Sequence, residues 1–165
     1  MKFYTSWGLF DLAKRDHYKF KMDQILIEIF IQDLHKRMYG KVWRWAGAYR
    51  KTNKNIGVDK LEIPVYLRTL LDDASYWIEH KIYSPEAFAV RFKHRLASIH
   101  CFLNGNGRHS RLIADIIIEK IYKLPVFTWS GASLSNETEA KDKYLKAIKK
   151  ADKGDFELLL KYVRA

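Results

Sequence analysis

The chain contains one cysteine, three prolines and no run of about eighteen apolar residues. A single cysteine cannot form an intramolecular disulfide, and it suits a reducing compartment. Without a long apolar run the sequence offers no membrane-spanning helix. The opening Met-Lys-Phe-Tyr leads into polar residues, which is not the pattern of a standard signal peptide. We therefore expect a cytoplasmic protein with no part in the membrane.

Several common site patterns are missing as well. The chain has no P-loop, zinc-finger or basic-zipper pattern, and neither His94 nor His109 stands at ligand spacing from another His, Cys or carboxylate. We expect no structural metal site, with His109 exposed and His94 directed away from His100. Repeats, low-complexity tracts and linkers are absent too, which predicts one domain over residues 1–165.

Positive charge is in excess, with 30 Lys and Arg against 19 Asp and Glu and a formal net charge of +11. Such a balance suits nucleic acid, an acidic protein or a generally basic surface. The lysines are spread along the chain and not gathered in one tract, so nucleic acid is not the favoured partner. A basic nucleic-acid-binding domain, in which Arg108 and Arg111 contact backbone phosphate, stays open as an alternative function.

The hydrophobic content of 48% and the aromatic content of 15% predict a packed globule. Apolar residues recur at helical spacing along most of the chain, which predicts an all-α fold. In the first helix, which Gly40 would end, one face would carry Ile25, Ile29, Leu34 and Met38. Ser84 would cap the helix that begins at Pro85. The predicted helices cover residues 22–39, 65–80, 85–100, 106–123, 136–150 and 155–163, with an irregular connector over residues 125–131.

A polar turn containing two glycines separates two of these helices at residues 100–111, HCFLNGNGRHSR, which we call the signature segment. Its glycines allow backbone conformations and close approaches that a β-carbon would prevent. A helix beginning near Asn106 would direct its free N–H groups and its positive dipole end into the turn, which favours an anion. Arg108 and Arg111 would add two guanidinium groups on one helix face, which suits a di- or triphosphate.

His100 would close the preceding helix at the rim of this anion site. Its imidazole titrates in the range that suits a general base near neutral pH. Taken separately, a Gly-Asn-Gly turn, an arginine pair and a lone histidine are most often ordinary turn, surface and rim residues. Their combination in the pattern H-x-F-x-x-G-N-G-R-x-x-R favours a catalytic phosphate site.

With this pattern the chain resembles the Fic (Fic/Doc) family, whose signature is H-x-F-x-[DE]-G-N-G-R-x-x-R. The likeness extends over roughly residues 34–165. Residues 42–47 resemble the segment before the family's β-hairpin flap, and the flap itself would lie at about residues 48–63, which we call the flap segment. Similarity to the branch labelled mobile mystery protein B is found in residues 52–58, 70–73, 76–80, 104–112 and 127–129. The resemblance implies a Fic-type helical domain with a short β-hairpin flap.

The resemblance also implies an activity, the transfer of AMP from ATP to a Ser, Thr or Tyr hydroxyl of a target protein. His100 would be the general base, and Phe102 would anchor the loop in the core. Gly105, Asn106 and Gly107 would form the anion hole for the nucleotide phosphates. Arg108 would bind a bridging or β-phosphate oxygen, and Arg111 would bind the γ-phosphate. The target would be bound by the flap, at Arg50, Thr52, Asn53, Asn55, Ile56, Gly57 and Val58, with an ordinary surface hairpin as the alternative.

Position 104 departs from the family pattern, because Asn104 stands where most members have the Asp or Glu that holds Mg²⁺. An amide offers one neutral oxygen, so Mg²⁺, or Mn²⁺ in its place, would be held weakly, mainly by phosphates and water. This leaves open a catalytically weak Fic fold that binds a nucleotide or a partner as a regulatory or toxin–antitoxin component. It also leaves open the donor, since some members transfer UMP, phosphate or phosphocholine. Cys101, where proline is usual, has no expected role.

The family's inhibitory pattern, [ST]-x-x-x-E-[GN], is absent from the sequence. Ser75 and Glu79 have the required spacing, but His80 follows where Gly or Asn is needed. Two further pairs fail in the same way, Ser133 with Glu137 and Ser135 with Glu139. Inhibition in trans by an antitoxin, another means of control and an altered N-terminal element therefore stay open, as does self-association.

Overall fold

The computed structural model describes residues 21–129 and 137–165, and within them every regular element is a helix. The elements are α1 Met22–Ile25, α2 Glu28–Tyr39, α3 Ile63–Glu79, α4 Pro85–Ile99, α5 Asn106–Ile116, α6 Glu137–Ala151 and α7 Glu157–Arg164. A π-helical turn, Ile117–Ile121, prolongs α5. The predicted all-α fold is confirmed. In the part of the chain that the structure describes, no helix is long and apolar enough to cross a bilayer.

The helix starts follow local sequence signals. Ser84 caps α4, because its Oγ accepts a hydrogen bond from the Ala87 N–H at 3.3 Å. Pro85 takes the first helical position, where no N–H is needed, and Pro64 stands likewise near the start of α3. These helices, with α6 and α7, begin and end within two residues of their predicted bounds. The predicted structure at residues 130, 131 and 136 lies outside the described residues.

The first predicted helix is divided in two. α1 ends at Leu26, and Ile27 is extended (φ −130°, ψ 146°) before α2 begins. Because of this break, the helical spacing of α1 does not continue into α2. The predicted apolar face is therefore wrong at Ile29, which is 74% exposed. Gly40 follows α2 with an ordinary right-handed φ of −61°, so it is not a left-handed cap. The residues that α2 buries are spaced by four: Ile31, His35 and Tyr39.

The centre of the core is formed by α4 and α5. α4 packs against both α3 and α5, while α6 and α7 pack against each other and α7 also contacts α4. The largest buried side chains at this centre are Phe88, Phe92, Phe102, Ile113, Ile117 and Ile118, each at most 2% exposed. Burying an apolar side chain of this size contributes roughly 1.5–3 kcal/mol. The two central helices therefore fix the flanks of the signature segment.

The flap segment lacks the expected hairpin, since residues 48–62 contain no strand. Its backbone pairs instead with the end of α4. The Arg50 N–H donates to the Cys101 carbonyl at 2.9 Å, and the Val58 N–H donates to the Ile99 carbonyl at 3.3 Å. Within the segment, the Asn53 side chain bonds Asp59 and the Lys60 N–H at 2.7 and 2.8 Å. Side-chain bonds thus replace a cross-strand ladder, and the flap is a loop that lies against the signature segment.

Candidate active site

The signature segment begins where α4 ends, at His100. His100 adopts the left-handed conformation (φ 57°, ψ 57°), and its N–H donates to the Leu96 carbonyl. The chain therefore turns sharply out of the helix. Beyond the turn, Phe102 is fully buried, whereas Leu103 and Asn104 are exposed. The buried ring anchors the loop and leaves its next two residues at the surface.

Asn106 fastens this loop through its side chain. Its Oδ1 accepts a hydrogen bond from the Phe102 N–H at 2.9 Å, and its Nδ2 donates to the Phe102 carbonyl at 2.8 Å. Asn106 is 6% exposed, so both bonds lie away from water, where they are strong. The side chain therefore sets the shape of the loop, and the backbone N–H is the part of Asn106 that can bind a phosphate.

The start of α5 provides a cluster of backbone N–H groups. Counted from the start of α5, His109 is the first residue whose N–H has a partner four residues earlier, since it donates to the Gly105 carbonyl at 3.0 Å. The N–H groups of Asn106, Gly107 and Arg108 come earlier and have no helical carbonyl four residues before them. These three groups, which we call the phosphate cradle, lie at the positive end of the helix dipole and suit an anion.

The two glycines of the segment have different roles. Gly105 has φ +81°, and an added Cβ would lie 2.6 Å from Cε2 of Tyr39, so backbone and packing both require glycine. Gly107 borders open space, since an added Cβ there would meet no atom within 4 Å. Room for a ligand therefore lies beside Gly107, next to the phosphate cradle.

The two arginines are held by aromatic rings. Arg108 is exposed, and its Cζ lies 5.4 Å from the centroid of the Tyr39 ring. Arg111 is partly buried, with its Cζ 4.7 Å from the ring of Tyr144 and 5.4 Å from that of Trp129. Contacts between a guanidinium and a ring face restrain the side chain and leave N–H groups for an anion. The pair therefore extends the positive field of the phosphate cradle.

The imidazole of His100 is partly buried and has no hydrogen-bond partner among the residues that the structure describes. Burial lowers its pKa below 6.5, and the positive charges of Arg50 and Lys54 lower the pKa further. The ring is therefore neutral at pH 7, with a lone pair that can accept a proton. Such a group can act as a general base toward a hydroxyl placed beside the cradle.

Arg50, expected to bind a target from the flap, is 4% exposed and turned inward. Its Nε donates to the His100 carbonyl at 2.7 Å, while its two Nη atoms donate to the carbonyls of Thr52 and Val58. Gly57 also lies against His100, because an added Cβ would be 2.7 Å from the His100 Cβ. Arg50 thus ties the flap to the end of α4. The remaining expected flap residues are exposed, except the partly buried Val58: Thr52, Asn53, Asn55, Ile56 and Gly57.

A buried histidine on α2, His35, also shapes the site, although the sequence analysis did not single it out. Its Nδ1 accepts a hydrogen bond from the Gly47 N–H at 3.0 Å, so its Nε2 carries the proton and donates to the Asn104 carbonyl at 3.0 Å. The ring stacks on Phe102 with the centroids 3.8 Å apart. The available signal was its spacing of four residues from Ile31, which places His35 on the buried face of α2.

The other two histidines near the segment belong to the core. His109 is 1% exposed, so the expectation of an exposed side chain was wrong. Its Nε2 donates to the Ile31 carbonyl at 2.8 Å, and burial lowers its pKa to about 3. His94 is bonded away from the site, with its Nε2 2.8 Å from an oxygen of Asp152. Both rings therefore support the fold.

The position that holds the metal in the family pattern offers little to a divalent ion here. The Oδ1 of Asn104, the one oxygen of its side chain, accepts a hydrogen bond from the Gly105 N–H at 2.7 Å. The described residues contain no group of three His, Cys, Asp or Glu side chains that could hold a metal ion. Because Mg²⁺ and Mn²⁺ prefer carboxylates, the residues at this position do not fit a resident divalent metal.

A helical fold that joins a histidine, a backbone N–H cradle and two arginines in one short segment defines the class of this protein. A model of the Fic/DOC family matches residues 26–118, more than half of the 165 residues, and the chain belongs to this family.

The relatives that the chain resembles are longer. Protein adenylyltransferase fic-1 of Caenorhabditis briggsae is 27% identical over 156 residues, which make up 92% of this chain and 28% of that protein. A Fic family protein from Desulfovibrio desulfuricans G20 has the same fold with a TM-score of 0.69 at 19% identity, covering 96% of this chain and 49% of that one. The BepC protein of Bartonella tribocorum, solved with bound AMPPNP, gives a TM-score of 0.58 at 16% identity over 84% of this chain and 73% of that one. The chain spans about a quarter of the length of the curated relatives it matches.

Proposed function

We propose that the chain is a Fic-type nucleotidyltransferase that moves AMP from ATP to a Ser, Thr or Tyr hydroxyl of a target protein. The observation that carries this proposal is the neutral, unpaired imidazole of His100 in the same segment as the phosphate cradle and its two arginines. Relatives named adenylyltransferases, and a structural neighbour solved with AMPPNP, support ATP as the donor. The similarity in residues 52–58 and 104–112 supports placing the chain in the mobile mystery protein B branch.

In this mechanism the cradle, Arg108 and Arg111 bind the phosphates of ATP. The target hydroxyl oxygen attacks the α-phosphorus, and the bond from that phosphorus to the oxygen bridging to the β-phosphorus breaks. Pyrophosphate leaves with the electron pair, while the hydroxyl proton passes to the imidazole of His100. The two guanidinium groups stabilise the charge that grows on the leaving pyrophosphate. The protein thus acts through position and charge.

The flap segment is the surface proposed to bind the target. Arg50 and Gly57 hold it against His100, so its exposed residues 52–57 lie near the proposed base. Residues 48–62 contain no paired strand. Several of their backbone groups are bonded within the chain, but among the described residues those of residues 53–57 have no backbone hydrogen bond and can bond an extended target segment. A hydroxyl side chain on that segment would then come close to the imidazole.

Asn104 favours a second function, that of a nucleotide-binding regulatory or toxin component with slow chemistry. Restoring the family carboxylate in Asn104→Asp tests it, and Asn104→Gln, which stays neutral, is the matched control. If slow chemistry at position 104 limits the wild type, the Asp variant transfers label faster in Mg²⁺ and the Gln variant does not. Equal rates for all three proteins would remove the support for this second function.

The main proposal is tested by incubating the protein and His100→Ala with α-labelled ATP, Mg²⁺ or Mn²⁺ and a cell lysate. The wild type is expected to place label on protein, and His100→Ala to place none while still binding a fluorescent ATP analogue. His80→Ala, which removes an exposed histidine at the end of α3, is the control and should keep full transfer. Absence of label with every metal and nucleotide, or equal label from His100→Ala, would contradict the proposal.

A further inference from the structure

A second basic side chain lies beside Arg111, outside the signature segment. Lys93 on α4 is 1% exposed, and its Nζ donates to the Tyr144 hydroxyl. The same Nζ lies 5.0 Å from the centroid of the Tyr144 ring and 5.9 Å from that of Trp129. These are the two rings that also contact the Arg111 guanidinium. Lys93 and Arg111 therefore meet at one pair of aromatic rings, although they come from different helices.

The positive charge of this pair is only partly balanced. Burial lowers the pKa of Lys93, and Arg111 lowers it further against the opposing effect of Tyr144. Against the effect of burial, Lys93 and Arg111 in turn lower the pKa of the Tyr144 hydroxyl, so Tyr144 balances part of their charge. Asp115, four residues after Arg111, already accepts two hydrogen bonds from Trp129 Nε1, and burial raises its pKa to about 7. Its carboxyl is thus partly protonated at neutral pH and cannot neutralise two cations. Buried charge without a full counter-charge is costly, which favours an anionic ligand.

The N–H groups of the two cations point to the same conclusion. An ammonium offers three donors and a guanidinium five. Within residues 21–129 and 137–165, Lys93 has one hydrogen bond, to Tyr144, and the Nε of Arg111 is buried without a hydrogen-bond partner. A phosphoryl group carries three strong acceptor oxygens, which match these donors in number and charge. A single carboxylate would offer fewer.

The residue at the position of the family's metal ligand brings no charge to the site. Asn104 is neutral, and its amide oxygen is bonded to the Gly105 N–H. A triphosphate bound at the cradle must therefore find its counter-charge on the protein itself. Arg108 and Arg111 provide two positive charges on α5, and a phosphate bound beside Arg111 would favour the charged form of Lys93.

The resemblance to the Fic family already implies that Arg111 binds the terminal phosphoryl group of the nucleotide. We propose that Lys93 is a second residue of this subsite, beside Arg111, and that the pair lets the chain bind the triphosphate without a divalent metal. The proposal rests on the proposed function only in taking a nucleotide as the ligand of the phosphate cradle. When the phosphoryl group binds, Lys93 exchanges its hydrogen bond with Tyr144 for one with a phosphoryl oxygen. If Lys93 only packs on two rings, its replacement leaves nucleotide selectivity unchanged.

Calorimetric titration of ATP and ADP in the presence of EDTA tests the subsite. The wild type is expected to bind ATP without metal and more tightly than ADP. Lys93→Met, which keeps the length of the side chain without its charge, should weaken ATP binding by about tenfold, the effect of one charged hydrogen bond. ADP binding should change by less than about twofold, because ADP lacks the terminal group.

Two further variants make the result specific. Lys146→Met removes a positive charge from the exposed side of α6 and should leave the ratio of ATP to ADP affinity unchanged. Lys93→Gln repeats the test with a neutral polar side chain, and thermal unfolding shows that each variant is folded. The wild type alone also decides the question, since equal affinity for ATP and ADP in EDTA, or loss of ATP binding in EDTA, overturns the proposal. Unchanged ATP affinity in both Lys93 variants overturns it as well.

The outcome can be separated from that of the transferase proposal. If ATP selectivity follows Lys93 but no label ever reaches a protein, the subsite stands and the transferase proposal falls. If label is transferred while Lys93→Met keeps full ATP affinity, the transferase proposal stands and the subsite falls.

Discussion

At the scale of single residues, the two glycines of the signature segment separate the demands of folding from those of binding. Gly105 occupies a left-handed conformation against the ring of Tyr39, so the fold requires it. Gly107 has no atom near the position of a Cβ, so nothing inside the chain requires glycine there. The space beside Gly107 is where a phosphate would approach the backbone N–H groups.

We predict that Gly105→Ala and Gly107→Ala have opposite effects. Gly105→Ala should lose roughly 1–2 kcal/mol of unfolding free energy from the left-handed backbone alone, with more from the contact with Tyr39. Gly107→Ala should be as stable as the wild type or up to about 1 kcal/mol more stable, because alanine favours helix. It should nevertheless bind ATP several times more weakly, since the methyl group fills the ligand space. Urea unfolding and calorimetry measure both, and full ATP affinity in Gly107→Ala would place the phosphates elsewhere.

At the scale of elements, distant parts of the chain set the geometry of the signature segment. His35 on α2 bonds the Gly47 N–H on one side and the Asn104 carbonyl on the other. Arg50 joins the flap to the carbonyl of His100 at the end of α4. The loop that carries the proposed chemistry is therefore held by residues fifty or more positions earlier in the chain.

We predict that His35→Phe weakens the fold and the site together. Phenylalanine can keep the stacking on Phe102, but it leaves the Gly47 N–H and the Asn104 carbonyl without partners. A buried polar group without a partner costs about 1–3 kcal/mol, so the unfolding free energy should fall by at least that amount. ATP binding should weaken as well, because the loop before the cradle loses a support. His80→Phe, at an exposed histidine, is the control for urea unfolding and ATP titration, and an unchanged His35→Phe would refute the bridging role.

Local sequence signals predicted most of the helices, but contacts between residues distant in the sequence leave no such signal. The cap at Ser84 and the apolar spacing of α4 and α5 lie within a few residues, so a sequence pattern contains them. The division between α1 and α2 has no comparable signal. The flap also differed from expectation, because the inward side chain of Arg50 takes over carbonyls that a strand partner would otherwise bond.

The residues of the candidate site likewise fall into two groups, those that the local sequence predicts and those that contacts between distant residues place. The order of His100, the glycines and the two arginines is readable in the sequence, since all lie within twelve residues. The positions of His35, His109 and Lys93 are not, because each acts through a contact with another helix or loop. Sequence spacing can place such a residue on a buried helix face, but it cannot name the partner.

At the scale of the whole molecule, buried neutral histidines make stability depend on pH. In the unfolded chain His109 takes up a proton near pH 6.5, whereas in the folded chain burial lowers its pKa to about 3. Between these values the unfolded state binds more protons, so the stabilising contribution is present above pH 6.5 and is lost as the pH falls. Asp115 has the opposite sign, because its pKa of about 7 lies above the unfolded value of 3.8.

We predict that the unfolding free energy of the wild type, relative to that of His109→Gln, declines as the pH is lowered from 6.5 toward 3. The slope of this difference should approach about 1.4 kcal/mol per pH unit, the value for one proton. Glutamine can still donate to the Ile31 carbonyl, and Asp115 is present in both proteins, so its contribution cancels. Urea unfolding across this pH range gives the difference, and parallel curves for the two proteins would show that His109 does not carry the effect.

The central claim concerns which bond of ATP is broken, and it is tested most directly by the position of the label. The protein and one lysate are incubated with ATP labelled at the α-phosphate and, separately, with ATP labelled at the γ-phosphate. Attack at the α-phosphorus predicts that a target protein carries label from the first donor and none from the second. Label from the γ-phosphate alone would mean phosphoryl transfer and would contradict the account.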